Sequence, residues 1–324
     1  ELEEENYFFK LSNYQEQILG YLARAGVIVP EWRRQEAMQF VQRGLEDFSI
    51  SRVKEKMPWG IPVPGDDTQV MYVWFDALTN YISTLGWPDD AEGSFKKFWT
   101  EGEVMQMAGK DQVRFQSIMW QAMLMSADVK NTDRVFYHGF ITSGGQKMSK
   151  SLGNVIDPIA IAEEYGIDAL RYFLVRHVHP FEDSDFTMER FKEAYNADLA
   201  NGLGNLTARI MTLAESHLEQ PIGRPEPTGF PEEYVGAFAA YEFNRALEYV
   251  WGRIAALDQK IAETKPFSVV KTDLEAGKQL IAELASELYA IVRLVTPVMP
   301  ETSAKIKATI LANKKPDTLF PRKE

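Results

Sequence analysis

The hydrophobic period changes once along this chain, and that change dictates its architecture. Between residues 58 and 145, short apolar runs alternate with amphipathic ones. Residues 71–75 read as a strand, Asp76 as a helix N-cap, 104–108 as a second strand, 113–125 as a helix and 135–141 as a third strand. Strands alternating with helices predict an α/β fold with a parallel sheet, and ligands of such sheets bind beyond the carboxyl ends of the strands. After about residue 157 the helical period takes over. Leu199, Leu203, Leu206, Ile210 and Leu213 form one stripe, Leu247, Val250, Trp251, Ile254, Leu257 and Ile261 a second, and Leu280, Ile281, Leu284, Leu288, Ile291, Val292 and Val295 a third. A Pro-rich stretch at 221–231 and a break near Pro266 separate them, so a helix bundle follows the α/β part. Residues 1–57, with Tyr7, Phe8, Phe9, Leu11, Tyr14, Ile18 and Leu19 at helix-like spacing before Pro30, read as a small helical segment and a linker.

Composition removes whole classes of chemistry. The 324 residues contain no cysteine, which excludes disulfides, thiolate zinc sites and a cysteine nucleophile. The four histidines, His138, His177, His179 and His217, show no paired spacing suited to a metal, and no metal site is expected. His177 and His179 read as structural. His138 stands before Gly139, where packing is favoured over a ligand contact. No apolar run reaches the roughly 18 residues that a membrane span requires. The acidic runs at 1–5 and 182–185 read as solvated surface. A net charge of −12 argues against bulk coating of nucleic acid, yet residues 134–155 carry Arg134, Lys147 and Lys150 with no acid, and residues 301–324 hold six basic side chains against three acids. Because the chain begins at Glu, it reads as a piece of something longer, and the cytoplasm stands as a default location.

One segment carries chemistry on its face. In Gly144-Gly145-Gln146-Lys147-Met148-Ser149-Lys150-Ser151, two glycines loosen the backbone, and two lysines three apart, with one hydroxyl between them and a second just after, supply donors suited to phosphate oxygens. Lys147-Met148-Ser149-Lys150-Ser151 resembles in full the signature loop of the class I aminoacyl-tRNA synthetases. Tyr72-Val73-Trp74-Phe75-Asp76-Ala77-Leu78-Thr79-Asn80-Tyr81, Gly109-Lys110-Asp111-Gln112-Val113-Arg114-Phe115, Asp47-Phe48-Ser49-Ile50-Ser51-Arg52 and Tyr165-Gly166-Ile167-Asp168-Ala169-Leu170-Arg171-Tyr172 resemble the methionyl-tRNA synthetases in particular. The resemblance implies four segments. These are the end of a connective insertion and a linker at 1–57, the second half of a Rossmann-like catalytic domain at 58–145, a lysine-loop junction at 146–196 and an α-helical anticodon-binding domain at 197–324.

The same resemblance distributes roles. Lys147 and Lys150 become catalytic, stabilising charge on departing pyrophosphate. Gly109, Asp111, Lys147, Met148 and Lys150 become ATP contacts. Trp74, Ala77, Leu78, Tyr81, Gln116 and Trp120 line a methionine pocket, where aromatic walls suit a thioether. Asn201, Asn205 and Arg209 lie four apart; on spacing alone they read as a solvated face, and the resemblance turns them, with Phe267, into an anticodon-reading surface. Three departures stand out: Gln116 replaces a histidine of most members, Leu78 a proline of some, and Phe267 a tryptophan. The family's early His-x-Gly-His motif and zinc-bearing insertion do not occur. Expected partners are therefore methionine, ATP with Mg2+, tRNA(Met) and a missing N-terminal half, with no zinc and no membrane. The expected function is ATP-dependent activation of methionine and its transfer to tRNA(Met), with this portion alone short of catalysis. The alternatives are a non-catalytic tRNA-binding module, and a class I ligase for valine or leucine, against which Trp74, Tyr81 and Trp120 argue.

Overall fold

The computed structural model describes residues 4–226 and 229–323. The first three residues of the acidic run at 1–5, and residues 227 and 228 of the Pro-rich stretch, lie outside the described residues. The chain divides into two packing units, residues 1–139 and 140–324.

The first unit is built on a three-stranded parallel sheet in the order Ile28–Val29, Arg134–His138, Met105–Gly109. Apolar side chains of strands and helices close over it: Ile18, Leu22, Ile28, Val41, Ile118, Ala122, Val135 and Tyr137 form one buried cluster. The segment expected as insertion end and linker thus supplies a strand of this sheet and two of its helices, Gln15–Leu22 and Glu31–Gln42. Its aromatic residues hid the strand, because Ile28 and Val29 are too short a run to show a period of two. A second, antiparallel sheet joins Ser51–Val53, Asp66–Met71 and Pro62–Val63.

Two expectations fail at the end of that second sheet. The strand read at 71–75 stops at Met71, and Val73–Ala77 is a helix. Tyr72, not Asp76, occupies the N-cap position: its carbonyl accepts the backbone N–H groups of Phe75 at 2.9 Å and Asp76 at 3.2 Å. Trp74 therefore opens a helix instead of closing a strand, and Tyr81 lies in a separate short helix, Asn80–Ser83. Aromatic and β-branched residues fit either state, and tertiary contacts decided between them. The helix expected over 113–125 begins with a π-helical turn, Phe115–Met119, and continues as Trp120–Ser126. The strand expected over 135–141 is two, since Arg134–His138 ends at the boundary between units and Ile141–Ser143 belongs to the second.

In the second unit, Ile141–Ser143 pairs antiparallel with Gln146–Lys147 and parallel with Ser184–Asp185. Helices make up the remainder, the longest being Phe243–Thr264 and Leu274–Val295. All six residues of the second stripe are buried, as are Leu199, Leu203, Leu206 and Ile210 of the first, while Leu213 and Leu280 are partly buried against the same core. Asp168, itself 5% exposed, accepts the N–H of Thr302 at 2.6 Å, and Arg171 donates to the carbonyls of Val298 at 2.7 Å and Pro297 at 3.0 Å. These bonds tie helix Ile167–Arg176 to the start of helix Pro300–Ala312 and satisfy backbone groups that a helix end leaves open. His177 packs on Phe173 and faces Asp198, and His179 Nδ1 accepts the N–H groups of Phe181 and Glu182; both serve structure. Among the described residues, no helix is long and apolar enough to cross a membrane.

Candidate functional site

The lysine motif occupies a hairpin and the turn that follows it. Gly144 and Gly145 have φ of 62° and 72°, so both central residues of the reversal lie in the left-handed region that glycine adopts without strain. Asp185, reached from a parallel neighbour strand, holds the turn: its carboxylate accepts Gly145 N–H at 2.9 Å and Thr142 Oγ1 at 2.9 Å. The Gly145 N–H, followed by the Thr142 hydroxyl, lowers the Asp185 pKa from its ordinary value, so the turn is held by an anion. Beyond the hairpin, the Asn154 amide clasps the loop, accepting Ser149 N–H at 2.8 Å and donating to the Lys147 carbonyl at 3.3 Å, while the Ser149 and Ser151 hydroxyls bond to each other at 2.7 Å. Lys147 and Lys150 are exposed, with Lys147 Nζ 5.0 Å from the Phe140 ring centroid. Met148 instead packs against the apolar core, which plants the loop between its two cations.

In the first unit, Gly109 ends the edge strand Met105–Gly109 and Asp111, exposed, stands on the 3-10 turn Lys110–Gln112 that follows. Gly109 pairs in register with His138 at the end of the neighbouring strand. His138 is exposed, not packed, with Nδ1 2.8 Å from the Gly139 carbonyl. Both residues thus sit at the carboxyl ends of parallel strands, where such sheets receive ligands.

The π-helical turn after this strand aims Gln116. Its Nε2 donates to the Tyr81 hydroxyl at 2.7 Å, and it is 5% exposed with Oε1 lacking a partner. Tyr81 tilts against Trp120 with centroids 5.9 Å apart, and Trp74 stacks on Phe115 at 4.5 Å. Leu78 and Trp120 are buried, and the Trp120 indole Nε1 also lacks a partner. Ala77 is half-buried in the same short helix as Trp74. Behind the turn lies Gln121, fully buried. Its Nε2 donates to the Gln116 carbonyl at 2.9 Å and to Thr132 Oγ1 at 3.1 Å, while its Oε1 accepts from Thr132 N–H and Asn131 Nδ2 at 3.1 Å each.

The second unit brings the third group together. Asn201 falls in a π-helical stretch, Tyr195–Gly204, and Asn205 and Arg209 in the α-helix Asn205–His217 that continues it. Asn201 and Asn205 are exposed and line a groove of about 460 Å³ with the tail residues Lys315 and Arg322. Arg209 and Phe267, the latter 48% exposed, line a contiguous groove that shares Ala208 and Lys315 with the first. Arg209 pairs with Asp258 at the surface, a contact weak enough to exchange for a phosphate. The basic excess of 301–324 was the one pointer to Lys315 and Arg322, and Gln121 and Asn154 carried none; Asp185, read with 182–185 as solvated surface, is half-buried and instead accepts Gly145 N–H and Thr142 Oγ1 inside the hairpin.

Among the described residues, no group of three or more His, Asp or Glu side chains is placed to hold a metal ion.

The family described as tRNA synthetases class I (M) matches residues 1–211. The methionine–tRNA ligase of Fusobacterium nucleatum is 40% identical over 94% of this chain and 50% of its own length, and that of Mycobacterium bovis 38% identical over 94% and 61%. The chain thus spans about half to three fifths of the length of these relatives. Among solved structures, Mycobacterium tuberculosis methionyl-tRNA synthetase in complex with methionyl-adenylate superposes with a TM-score of 0.84 at 37% identity, covering 94% of this chain and 63% of that one. The apo form of the same enzyme gives 0.84 at 33% identity, covering 100% and 70%. With the family matched over residues 1–211, and methionine–tRNA ligases 38–40% identical along 94% of the chain, the chain belongs to the class I tRNA synthetases, in their methionyl-tRNA synthetase family.

Proposed function

We propose that this chain carries the lysine loop, methionine pocket and anticodon face of a methionine–tRNA ligase, which activates methionine with ATP and transfers it to tRNA(Met). The observation that carries the reading is the Gln116–Tyr81 hydrogen bond set among Trp74, Phe115 and Trp120 just past the Met105–Gly109 strand. Two buried polar atoms there, Gln116 Oε1 and Trp120 Nε1, lack partners, and a polar group of a bound amino acid would supply one. The sulfur of methionine suits the ring edges around them.

In the reaction, a methionine carboxylate oxygen attacks the α-phosphorus of ATP, the bond to the bridging oxygen breaks, and pyrophosphate leaves with its electron pair. Lys147 and Lys150 neutralise the charge that builds on the leaving group. A tRNA 3′-terminal hydroxyl then attacks the adenylate carbonyl carbon and AMP departs. Asp111 is assigned to ribose hydroxyls, Gly109 to close approach of the nucleotide, and Met148 to seating the loop. Ala77 and Leu78 complete the pocket wall. The described residues offer no cation cage, so Mg2+ is read as arriving with the ATP phosphates. Asn201, Asn205, Arg209 and Phe267 are assigned to anticodon bases and phosphates. Catalysis by this portion alone is not expected, because no His-x-Gly-His half-site occurs in the chain.

That same absence favours a second reading, a tRNA-binding module without chemistry. Methionine-dependent ATP–pyrophosphate exchange, with a His-x-Gly-His half supplied in one polypeptide, decides between them. Exchange is expected, and Lys150→Ala should lower its rate about 10²–10³-fold. No exchange by the completed protein refutes the ligase reading, and normal exchange by Lys150→Ala refutes the role of the lysine.

A further inference from the structure

The helical unit contains a second cationic cavity that none of these roles uses. It measures about 480 Å³ and is lined by Arg224, Pro225, Glu226, Tyr289, Arg293 and Lys307. It shares no lining residue with the grooves of Asn201, Asn205, Arg209 and Phe267. Three cations face it from three elements: the segment before residue 227, the last turn of helix Leu274–Val295, and helix Pro300–Ala312. One carboxylate, Glu226, stands in the lining beside them. Tyr289, 4% exposed, supplies a rigid aromatic wall.

Two of the three cations, Lys307 and Arg293, are positioned by the fold. Lys307 Nζ donates to Thr296 Oγ1 at 2.8 Å, and that hydroxyl is bonded to Ser303 Oγ at 2.7 Å. The Arg293 guanidinium lies 5.5 Å over the Phe230 ring. A helix C-terminus favours a cation such as Arg293, but it does not account for Arg224 and Lys307 being gathered around it. Their proximity costs free energy: burial, then repulsion by Arg293 and Arg224, lowers the Lys307 pKa from its ordinary value. In a chain of net charge −12, such a cluster is not a by-product of general basicity.

We propose that this cavity is a phosphate-binding site, in which Arg224, Arg293 and Lys307 converge on the oxyanion of a phosphate-bearing ligand. Guanidinium groups bond phosphate oxygens through parallel N–H donors, and the Lys307 ammonium adds a point charge from the third side. The phosphate is either one of an RNA backbone or one of a small phosphorylated molecule. The volume admits both.

The test uses the whole chain with Lys147→Ala and Lys150→Ala, so that the lysine loop does not contribute, and titrates inorganic phosphate calorimetrically against chloride at equal ionic strength. Saturable binding is expected. Arg224→Gln, a change at an exposed side chain, and Lys307→Met, which keeps the apolar stem, should each weaken it roughly tenfold or more. Absence of saturable binding, or unchanged affinity in both variants, overturns the proposal. The Arg224→Gln variant is then titrated with a tRNA transcript over a range of salt. A salt slope smaller by about one assigns the phosphate to RNA, whereas an unchanged slope with lost phosphate binding assigns it to a small molecule.

Discussion

Gln121 shows how a residue without any motif can govern one that has it. A π-helical turn leaves its carbonyls imperfectly served, and Gln121 bonds the Gln116 carbonyl from inside the core while its other end holds Thr132 and Asn131. Replacing it with leucine strands at least two buried polar groups at about 1–3 kcal/mol each, so Gln121→Leu should lose about 3 kcal/mol of stability in urea unfolding. Equal stability of the wild type and Gln121→Leu would dismiss the clamp. The contrast with Lys147 and Lys150 explains what was legible at this scale. The lysines act through their own side chains in a contiguous run, so their spacing announces them. Gln121 and Asp185 act on backbone and side-chain groups brought near by folding, across spans of 5, 10, 11, 40 and 43 residues, and no local pattern records such pairings.

Among the elements, the long helices were readable because their apolar stripes must face one core, and a 3.6-residue period survives whatever the loops do. The stretch Tyr195–Gly204 was not, since leucines at 199 and 203 read as ordinary helix while the backbone is π-helical. Its effect is to set Asn201 on one turn type and Asn205 on the next, both at the groove. Phe267 depends on an equally unforeseen contact. Helix Pro266–Thr272 lies against Leu274–Val295 at Gly277, where an added Cβ would stand 2.4 Å from the Val270 Cα. Backbone cannot yield as a flexible side chain does, so the short helix itself must move. Gly277→Ala should cost about 1–3 kcal/mol. If Phe267 stacks on an anticodon base, tRNA affinity should also fall in the folded variant, with methionine binding unaltered. Full stability of Gly277→Ala by thermal unfolding would contradict the close approach.

For the whole molecule, the alternation of strands and helices gave the α/β class, and the stripes gave the bundle, but the partition into packing units follows burial that only the structure reveals. Residues 1–57 looked peripheral because the strand they add to the parallel sheet has two residues; Val27 and Ile28 nevertheless share a buried cluster with Ala108 and Val135. Buried clusters on either side of Gly139 draw on separate residues: Leu11 to Tyr137 in the first unit, Ile161 to Phe320 in the second. Among the described residues these clusters have no member in common, so two-state unfolding of the entire chain is not demanded. The two units also carry different reporters. Of seven tryptophans, Trp32, Trp59, Trp74, Trp87, Trp99 and Trp120 lie in the first unit, and Trp251 in the second. The two longest helices, Phe243–Thr264 and Leu274–Val295, belong to the second and dominate far-ultraviolet circular dichroism. In a Trp251→Phe background, tryptophan emission follows the first unit alone. Its urea transition should therefore fail to coincide with the dichroism transition at 222 nm, and a ligand of the aromatic pocket should shift the emission curve more than the dichroism curve. Superimposed curves, moving together on adding ligand, would mean that folding couples the units more tightly than their separate cores require.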